Sequence, residues 1–171
     1  LLVPAARVRN LLPILQVAAG WVMSSVLVAV DAARARVLLL PLAGYGRGFA
    51  DPAGIAVAPD GKRVYVASGG DGRVAVVGPN DVRQDPLPGW SRRFWRTPGE
   101  PERSGRVSDD ESGSRSLPWD YVPPMALVGR NPRGVAWLGL GPDGDVAVSD
   151  RLDDAVTLLS RGGDLVARIR V

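Results

Sequence analysis

Residues 51–77 read DPAGIAVAPDGKRVYVASGGDGRVAVV, and this stretch decides the fold class of the chain. It contains three short apolar runs rich in β-branched residues, at 55–58, 64–67 and 74–77. Two turn sequences, PDG and GGDG, separate the runs, and glycine supplies the positive φ that such turns need. The pattern predicts a three-stranded antiparallel meander. Because three strands cannot bury both of their faces alone, we expect neighbouring units of the same kind.

The same pattern occurs on either side of this stretch. In each of three units a proline precedes a valine-rich run that ends at Asp31, Ser68 or Asp150, and a second apolar run follows after a short turn. The first two units are offset by about 40 residues and the last two by about twice that, a period typical of β-propeller blades with three to four strands each. We expect the strand-ending Asp31 and Asp150 to bond backbone N–H groups of the turn that follows.

These motifs resemble the NHL and YVTN families of β-propeller repeats. The shared features are P-x-G-[IV]-A at 52–56 and 132–136, P-D-G at 59–61 and 142–144, and a strand ending in Asp. The segment YVASGGDGRVAVV resembles the YVTN form, and VAVDAARARVLLLPLAGYGRGFADPAGIAV resembles the NHL form. The resemblance covers roughly 11–78 and 131–171 and implies blades packed face to face.

The predicted fold class is therefore all-β, a partial propeller of about three β-propeller-like blades with a long irregular insertion. We assign 1–171 to one domain, made of blades at 11–44, 45–78 and 131–171 and an insertion at 79–130. Closed propellers have about four to eight blades, so three leave open edge strands and an exposed apolar flank at each end. Either a longer parent chain or other protein chains supply the rest, and the start at Leu1 rather than Met fits a processed product or a piece of a longer chain.

The amino-acid composition excludes several common classes of catalytic site. The chain contains no Cys and no His, which excludes disulfides, thiol nucleophiles, Cys-ligated zinc and a Ser-His-Asp triad. The acidic run at 109–111 lies in polar sequence with no strand to position it. The net charge is only +3 and the basic residues form no stripe, so we expect no nucleic-acid partner. We therefore predict no catalytic, cofactor or metal site, and a chain that is not an enzyme.

The insertion at 79–130 interrupts the repeat with many prolines. Its polar middle, 97–116, lies between two aromatic flanks, GWSRRFWR and LPWDYVPP. Trp, Tyr and Arg are enriched among interface anchors, so the flanks predict contacts with a protein partner. The predicted partner-binding residues are Trp90, Arg93, Phe94, Trp95, Trp119 and Tyr121. In the alternative interpretations, these aromatics pack the insertion onto the propeller itself or form a platform for a sugar or a nucleic acid.

Residues 11–30 contain no charged side chain. This stretch predicts either two buried strands, at 14–18 and 26–30, or a membrane segment; Pro13 and Gly20 weaken the helix that a membrane segment needs. From this uncharged stretch we expect an extracytoplasmic or membrane-associated location for the protein. The function that the sequence favours is a non-catalytic β-propeller scaffold that binds other protein chains, which complete or cap the propeller. The alternative is part of a propeller enzyme or ligand-binding protein whose site residues lie outside this chain.

Overall fold

The computed structural model describes residues 1–8, 23–33, 36–43, 48–78, 123–139 and 145–171. These residues form eleven β-strands and no helix. All strand pairs are antiparallel, and the strands are arranged in three sheets. The predicted fold class, all-β with blade-like sheets and a long insertion, is confirmed.

Sheet one contains β1 (Leu2–Val8), β2 (Met23–Asp31) and β3 (Arg36–Pro41), in that order. The second half of the uncharged stretch is therefore a strand, as predicted, and the predicted strand at 14–18 lies outside the described residues. The partner of β2 on its other side is β1, which begins upstream of the boundary expected at residue 11. Within the described ranges, no helix is long and apolar enough to cross a membrane.

Sheet two contains β4 (Pro52–Val57), β5 (Val64–Ser68), β6 (Arg73–Val77) and β7 (Met125–Leu127). The first three are the meander predicted from 51–77. The fourth, β7, lies inside the stretch assigned to the insertion and pairs with β6. Residues 79–122 are thus inserted between the third and fourth strands of one sheet.

Sheet three contains β8 (Pro132–Trp137), β9 (Asp145–Asp150), β10 (Ala155–Ser160) and β11 (Leu165–Arg170), in sequence order across the sheet. Its pairing repeats that of sheet two. Pro132 lies opposite Asp150 as Pro52 lies opposite Ser68, and in both sheets the register shifts directly after the proline. The sequence repeat is therefore a structural repeat, and it assigns each residue of sheet three an equivalent in sheet two.

Sheet two is the middle layer of the core. All five residues of β5 are buried, which explains why its sequence is a continuous apolar run rather than an alternating one. One face of β5 joins a cluster with residues of sheet one, and the other joins a cluster with residues of sheet three. The first cluster contains Leu27, Leu40, Leu42, Phe49, Val64, Val66, Ala75 and Val77. The second contains Ala58, Tyr65, Val74, Val76, Ala126, Val146, Val148 and Leu159.

The expected bonding of Asp150 is wrong. This carboxylate is buried, with 1% of the residue exposed, and accepts a hydrogen bond from the Thr157 hydroxyl rather than from the following turn. The reason is local: the backbone N–H of Asp153 in that turn already donates to the main-chain carbonyl of Asp150. The other carboxylate oxygen, Oδ1, has no hydrogen-bond partner among the described residues. The side chain of Asp31, for which the same bonding was expected, is not among those described.

Candidate protein-binding face

The six residues predicted to bind a partner lie outside the described part of the chain. All six belong to the stretch 79–122, which the structure does not describe: Trp90, Arg93, Phe94, Trp95, Trp119 and Tyr121. The structure shows only where that segment leaves and rejoins sheet two, after Val77 and before Met125. The role of these residues stays a prediction.

The first strands of sheets two and three approach each other very closely. A Cβ atom placed on Gly54 of β4 would lie 2.3 Å from the carbonyl oxygen of Arg133 and 2.9 Å from the amide nitrogen of Val135, both on β8. Only glycine permits this contact, because a side chain at 54 would overlap with backbone atoms that cannot turn away. Gly54 therefore sets the distance between the two sheets at this edge.

Polar contacts link the same two sheets at the start of their first strands. A guanidinium nitrogen of Arg133, Nη2, lies 2.7 Å from a carboxylate oxygen of Asp51. The side-chain amide of Asn131 donates to the carbonyl of Gly69 at 2.9 Å. Asp51 and Asn131 occupy equivalent positions and both have a positive φ, 53° and 55°. The same tight backbone bend thus precedes β4 and β8.

A second set of polar contacts links the two sheets through their hairpin turns. The Tyr65 hydroxyl donates to the carbonyl of Arg161 at 2.9 Å, and the Arg161 guanidinium forms an ion pair with Asp60. The ring of Tyr65 also lies near that of Trp137, with centroids 6.1 Å apart. Together with the apolar cluster, these contacts hold sheet three on sheet two.

The surroundings of Asp60, Tyr65 and Asp153 shift the pKa values of these side chains. The Lys62 backbone N–H donates to Asp60, and this bond together with Arg161 keeps the pKa of Asp60 below its ordinary value. Burial raises the pKa of Tyr65, which keeps its hydroxyl protonated as the donor to sheet three. The backbone N–H and guanidinium of Arg130 lower the pKa of Asp153 in the same way. These three groups act as fixed polar contacts in the fold.

The opposite side of sheet three is apolar and has no neighbouring sheet among the described residues. Side chains alternate along β10: Ala155, Thr157 and Leu159 are buried toward sheet two, whereas Val156 and Leu158 point the other way and are only half buried. Following the register across β8, β9 and β11 completes this surface. We call it the outward face; it consists of Gly134, Ala136, Ala147, Ser149, Val156, Leu158, Ala167 and Ile169. Ile169 is 51% exposed.

The equivalent surface of sheet two is covered by sheet three. Its residues are Gly54, Ala56, Tyr65, Ala67, Val74, Val76 and Ala126. Val74 and Val76, the counterparts of Val156 and Leu158, are 0% and 1% exposed, and Ala126, the counterpart of Ile169, is 7% exposed. The outward face thus repeats a surface that is buried one repeat earlier. The sequence analysis predicted an exposed apolar flank at each end of the three blades without locating its residues. The match of Gly-Val-Ala at 134–136 to Gly-Ile-Ala at 54–56 is the sequence signal that could have located this one.

Other described features are weaker candidates. Leu165 and Val166 at the start of β11 are 60% and 55% exposed, but β11 is a peripheral strand whose sequence carries Arg168 and Arg170. No group of three acidic side chains in the described ranges could hold a metal ion. The outward face is therefore the best-defined candidate site.

Comparison with known proteins supports the fold. No protein-family model matches the chain, and no curated protein matches it. Among solved structures, the chain is similar to a chain of Kuenenia stuttgartiensis hydrazine synthase, with a TM-score of 0.63 and 22% sequence identity. The match covers 95% of this chain and 42% of that one, so the chain spans less than half the length of the solved chain.

Proposed function

We propose that this chain is a non-catalytic β-propeller scaffold that binds another protein chain through the outward face of sheet three. The observation that carries the proposal is the contrast between two equivalent surfaces. Val74 and Val76 are buried under the next sheet, whereas Val156 and Leu158 hold the same positions and are only partly buried. An apolar surface of this kind is typical of a protein interface.

The physical gain from covering this face is concentrated in a few side chains. Fully burying a Val, Leu or Ile side chain contributes about 1.5–3 kcal/mol, and Val156, Leu158 and Ile169 have gained only part of that in the chain alone. Association itself costs several kcal/mol, so these three side chains need a partner of complementary shape around them. A partner with a flat surface could contact residues of all four strands of sheet three at once.

The absence of catalysis is part of the proposal and has chemical support. The chain has no His and no Cys. Several described acidic side chains are already used as structural contacts: Asp51 with Arg133, Asp60 with Arg161, and Asp153 with Arg130. A carboxylate paired with arginine in this way is a poor general base.

A second candidate function follows from the solved structure that the chain resembles. That chain carries the name of an enzyme, hydrazine synthase, and extends well beyond the match. In this alternative, the sheets are part of a propeller enzyme or ligand-binding protein whose site residues lie outside the present chain. The blades would then support a site rather than form one. We also propose NHL/YVTN-type repeats and an extracytoplasmic or membrane-associated location, the latter on the uncharged stretch 11–30.

The proposal is tested by comparing Ile169→Glu with Leu152→Glu. Both residues are apolar and exposed, at 51% and 60%, but Leu152 lies in the β9–β10 turn outside the outward face. Full-length chain with a photo-crosslinking amino acid at position 156 is incubated with extract of the source cells, and the crosslinked protein is identified by mass spectrometry. We expect one stoichiometric adduct that Ile169→Glu abolishes and Leu152→Glu retains. Equal adducts in both variants, or none in the unaltered chain, would refute the proposal.

A further inference from the structure

We infer that the free edge of β11 binds an extended acidic segment of another protein, which pairs antiparallel with β11 as a fifth strand of sheet three. This edge is distinct from the outward face on which the proposed function rests, because an added strand lies beside the sheet and not on top of it. Main-chain hydrogen bonds to an exposed sheet edge are a general mode of peptide recognition. Here the backbone geometry, the charge of the strand and the sequence of the chain together specify the segment.

The backbone groups that β11 directs to its free edge belong to Arg168 and Arg170. Among the described strands, β11 is the last of sheet three and has β10 as its only neighbour in the sheet. The N–H of Val171 donates to the carbonyl of Asp154, so these two residues form a hydrogen-bonded pair of the antiparallel ladder. Such pairs alternate along a ladder, so the backbone groups of Ile169 are directed at β10 and those of the two arginines point away from it.

The equivalent edge of sheet two is built differently. Ala126 is the counterpart of Ile169, so the counterparts of the two arginines on β7 are Met125 and Leu127, which carry no charge. β7 is only three residues long, and a short strand is one of the ways in which proteins protect a free edge from pairing. β11 has six residues and exposes apolar side chains as well as the arginines. The repeat therefore does not require the arginines, and the length of β11 leaves its edge open to pairing.

The side chains of Arg168 and Arg170 give this edge a positive charge. Both residues are exposed, and neither forms an ion pair within the described part of the chain. Asp153, in the turn before β10, is already paired with Arg130. The Nε of Arg168 donates to the Thr157 hydroxyl at 3.2 Å, which holds its guanidinium on the side of the sheet that faces sheet two. Two positively charged side chains thus lie on one side of the edge without acidic partners.

The register of an added strand determines where its acidic residues lie. In an antiparallel pair, directly opposite residues have Cβ atoms about 4.5–5.5 Å apart and share one face of the sheet. The residues opposite Arg168 and Arg170 are two positions apart, and an acidic side chain at both would meet the two guanidinium groups. The residue between them lies opposite Ile169 on the other face of the sheet, where an apolar side chain fits. The segment therefore reads acidic, apolar, acidic.

The sequence of the chain indicates that this segment belongs to another protein. In the 171 residues of this chain, no Val, Ile, Leu or aromatic residue lies between two acidic residues. A second copy of the chain that paired over 168–170 would set arginine opposite arginine, and like charges directly opposite are destabilising. The strand that fits is therefore neither a described strand of this chain nor β11 of a second copy.

The test is a titration of the full-length, isotope-labelled chain with the synthetic peptide TVEVEVT, followed by the amide resonances of Arg168 and Arg170. We expect both resonances to shift, and the peptide TVVEEVT, which has the same composition without the alternation, to bind at least about tenfold more weakly. N-methylation of the two glutamates removes the N–H groups that point at β11 and should abolish binding. N-methylation of the valine between them, whose N–H points away, should not.

A charge exchange tests the role of the arginines. Arg168→Glu with Arg170→Glu should weaken binding of TVEVEVT by about tenfold or more, since two exposed ion pairs become two repulsions, and should allow TVKVKVT to bind. That gain also shows that the variant is folded. The matched control, Lys62→Glu with Arg151→Glu, makes the same change in net charge at exposed positions outside β11 and should leave both peptides unaffected.

The outcomes separate this inference from the proposed function. Failure of TVEVEVT to bind at millimolar concentration overturns the inference, as does equal weakening in the variant and its control or the absence of binding by TVKVKVT. Loss of binding on N-methylation of the central valine rather than the glutamates overturns the antiparallel pairing. If the crosslink from position 156 forms while TVEVEVT does not bind, the inference fails and the proposed function stands.

Discussion

Replacing Gly54 by alanine tests whether the approach of β4 to β8 determines how sheets two and three pack. The added Cβ would lie 2.3 Å from the carbonyl oxygen of Arg133 and 2.9 Å from the amide nitrogen of Val135. Both are backbone atoms, and β8 is held in register by β9, so neither atom can move without shifting the strand. Gly54 has no positive φ, so the substitution introduces no backbone strain of its own.

The magnitude follows from two opposing effects. Overpacking of this kind costs about 1–3 kcal/mol, and contacts this short place the cost near the upper end, at about 3 kcal/mol. Replacing glycine by alanine also restricts the unfolded chain, which stabilises the folded state by about 0.4–1 kcal/mol. The net loss is therefore about 2 kcal/mol. In a chain of this length, that loss lowers the melting temperature by about 4–8 °C.

The assay is urea and thermal unfolding of the Gly54→Ala chain beside a Gly134→Ala control. The control makes the same chemical change at the equivalent position, where the Cβ would lie 2.9 Å from the Ser149 hydroxyl, the end of a side chain that can turn away. Turning away would weaken the hydrogen bond that this hydroxyl accepts from the Gly134 N–H, whereas alanine restricts the unfolded chain, so we expect Gly134→Ala to change stability by no more than about 1 kcal/mol in either direction. If both variants have the same stability, the close approach of β4 and β8 does not govern the packing of the two sheets.

Three further predictions concern the polar contacts. Tyr65→Phe keeps the ring but removes the hydroxyl that donates to Arg161, and should cost about 0.5–1.5 kcal/mol in urea unfolding; an unchanged midpoint would contradict this. Thr157→Val removes the hydroxyl that donates to the buried Asp150 and should cost about 1–3 kcal/mol, whereas Thr157→Ser should lose less; equal losses would show that the hydroxyl is not responsible. Because the pKa of Asp60 is lowered in the folded chain, its contribution to stability is present above its ordinary value of 3.8 and is lost as the pH falls through the lower folded value. Asp60→Asn should flatten the acid side of the stability–pH profile measured by urea unfolding, and an unaltered profile would contradict that role.

The sequence alone determined the strands and turns of the repeats. The strand β5 and its neighbours β4 and β6 were predicted from 51–77, and β9 to β11 follow from the same pattern. These features depend on local chemistry: β-branched runs favour extended backbone, and PDG and GGDG favour tight turns. Such preferences act between residues a few positions apart, so they can be read without knowing what the chain packs against. The aromatic residues of the insertion were also identified from the sequence, and their contacts stay a prediction.

Which distant segments of the chain meet depends on tertiary packing and not on local sequence. The return of the chain to sheet two at Met125–Leu127, after 79–122, depends on pairing with β6 and has no local signal in so short a strand. The pairing of β1 with β2 is equally non-local. The ion pair of Asp60 with Arg161 joins residues 101 positions apart, and the bond of Asp150 to Thr157 replaced the turn contact that local reasoning favoured. In each case the contact follows from how one sheet is packed or paired with another segment, and that depends on the shape and burial of whole surfaces rather than on the residues beside it in the chain.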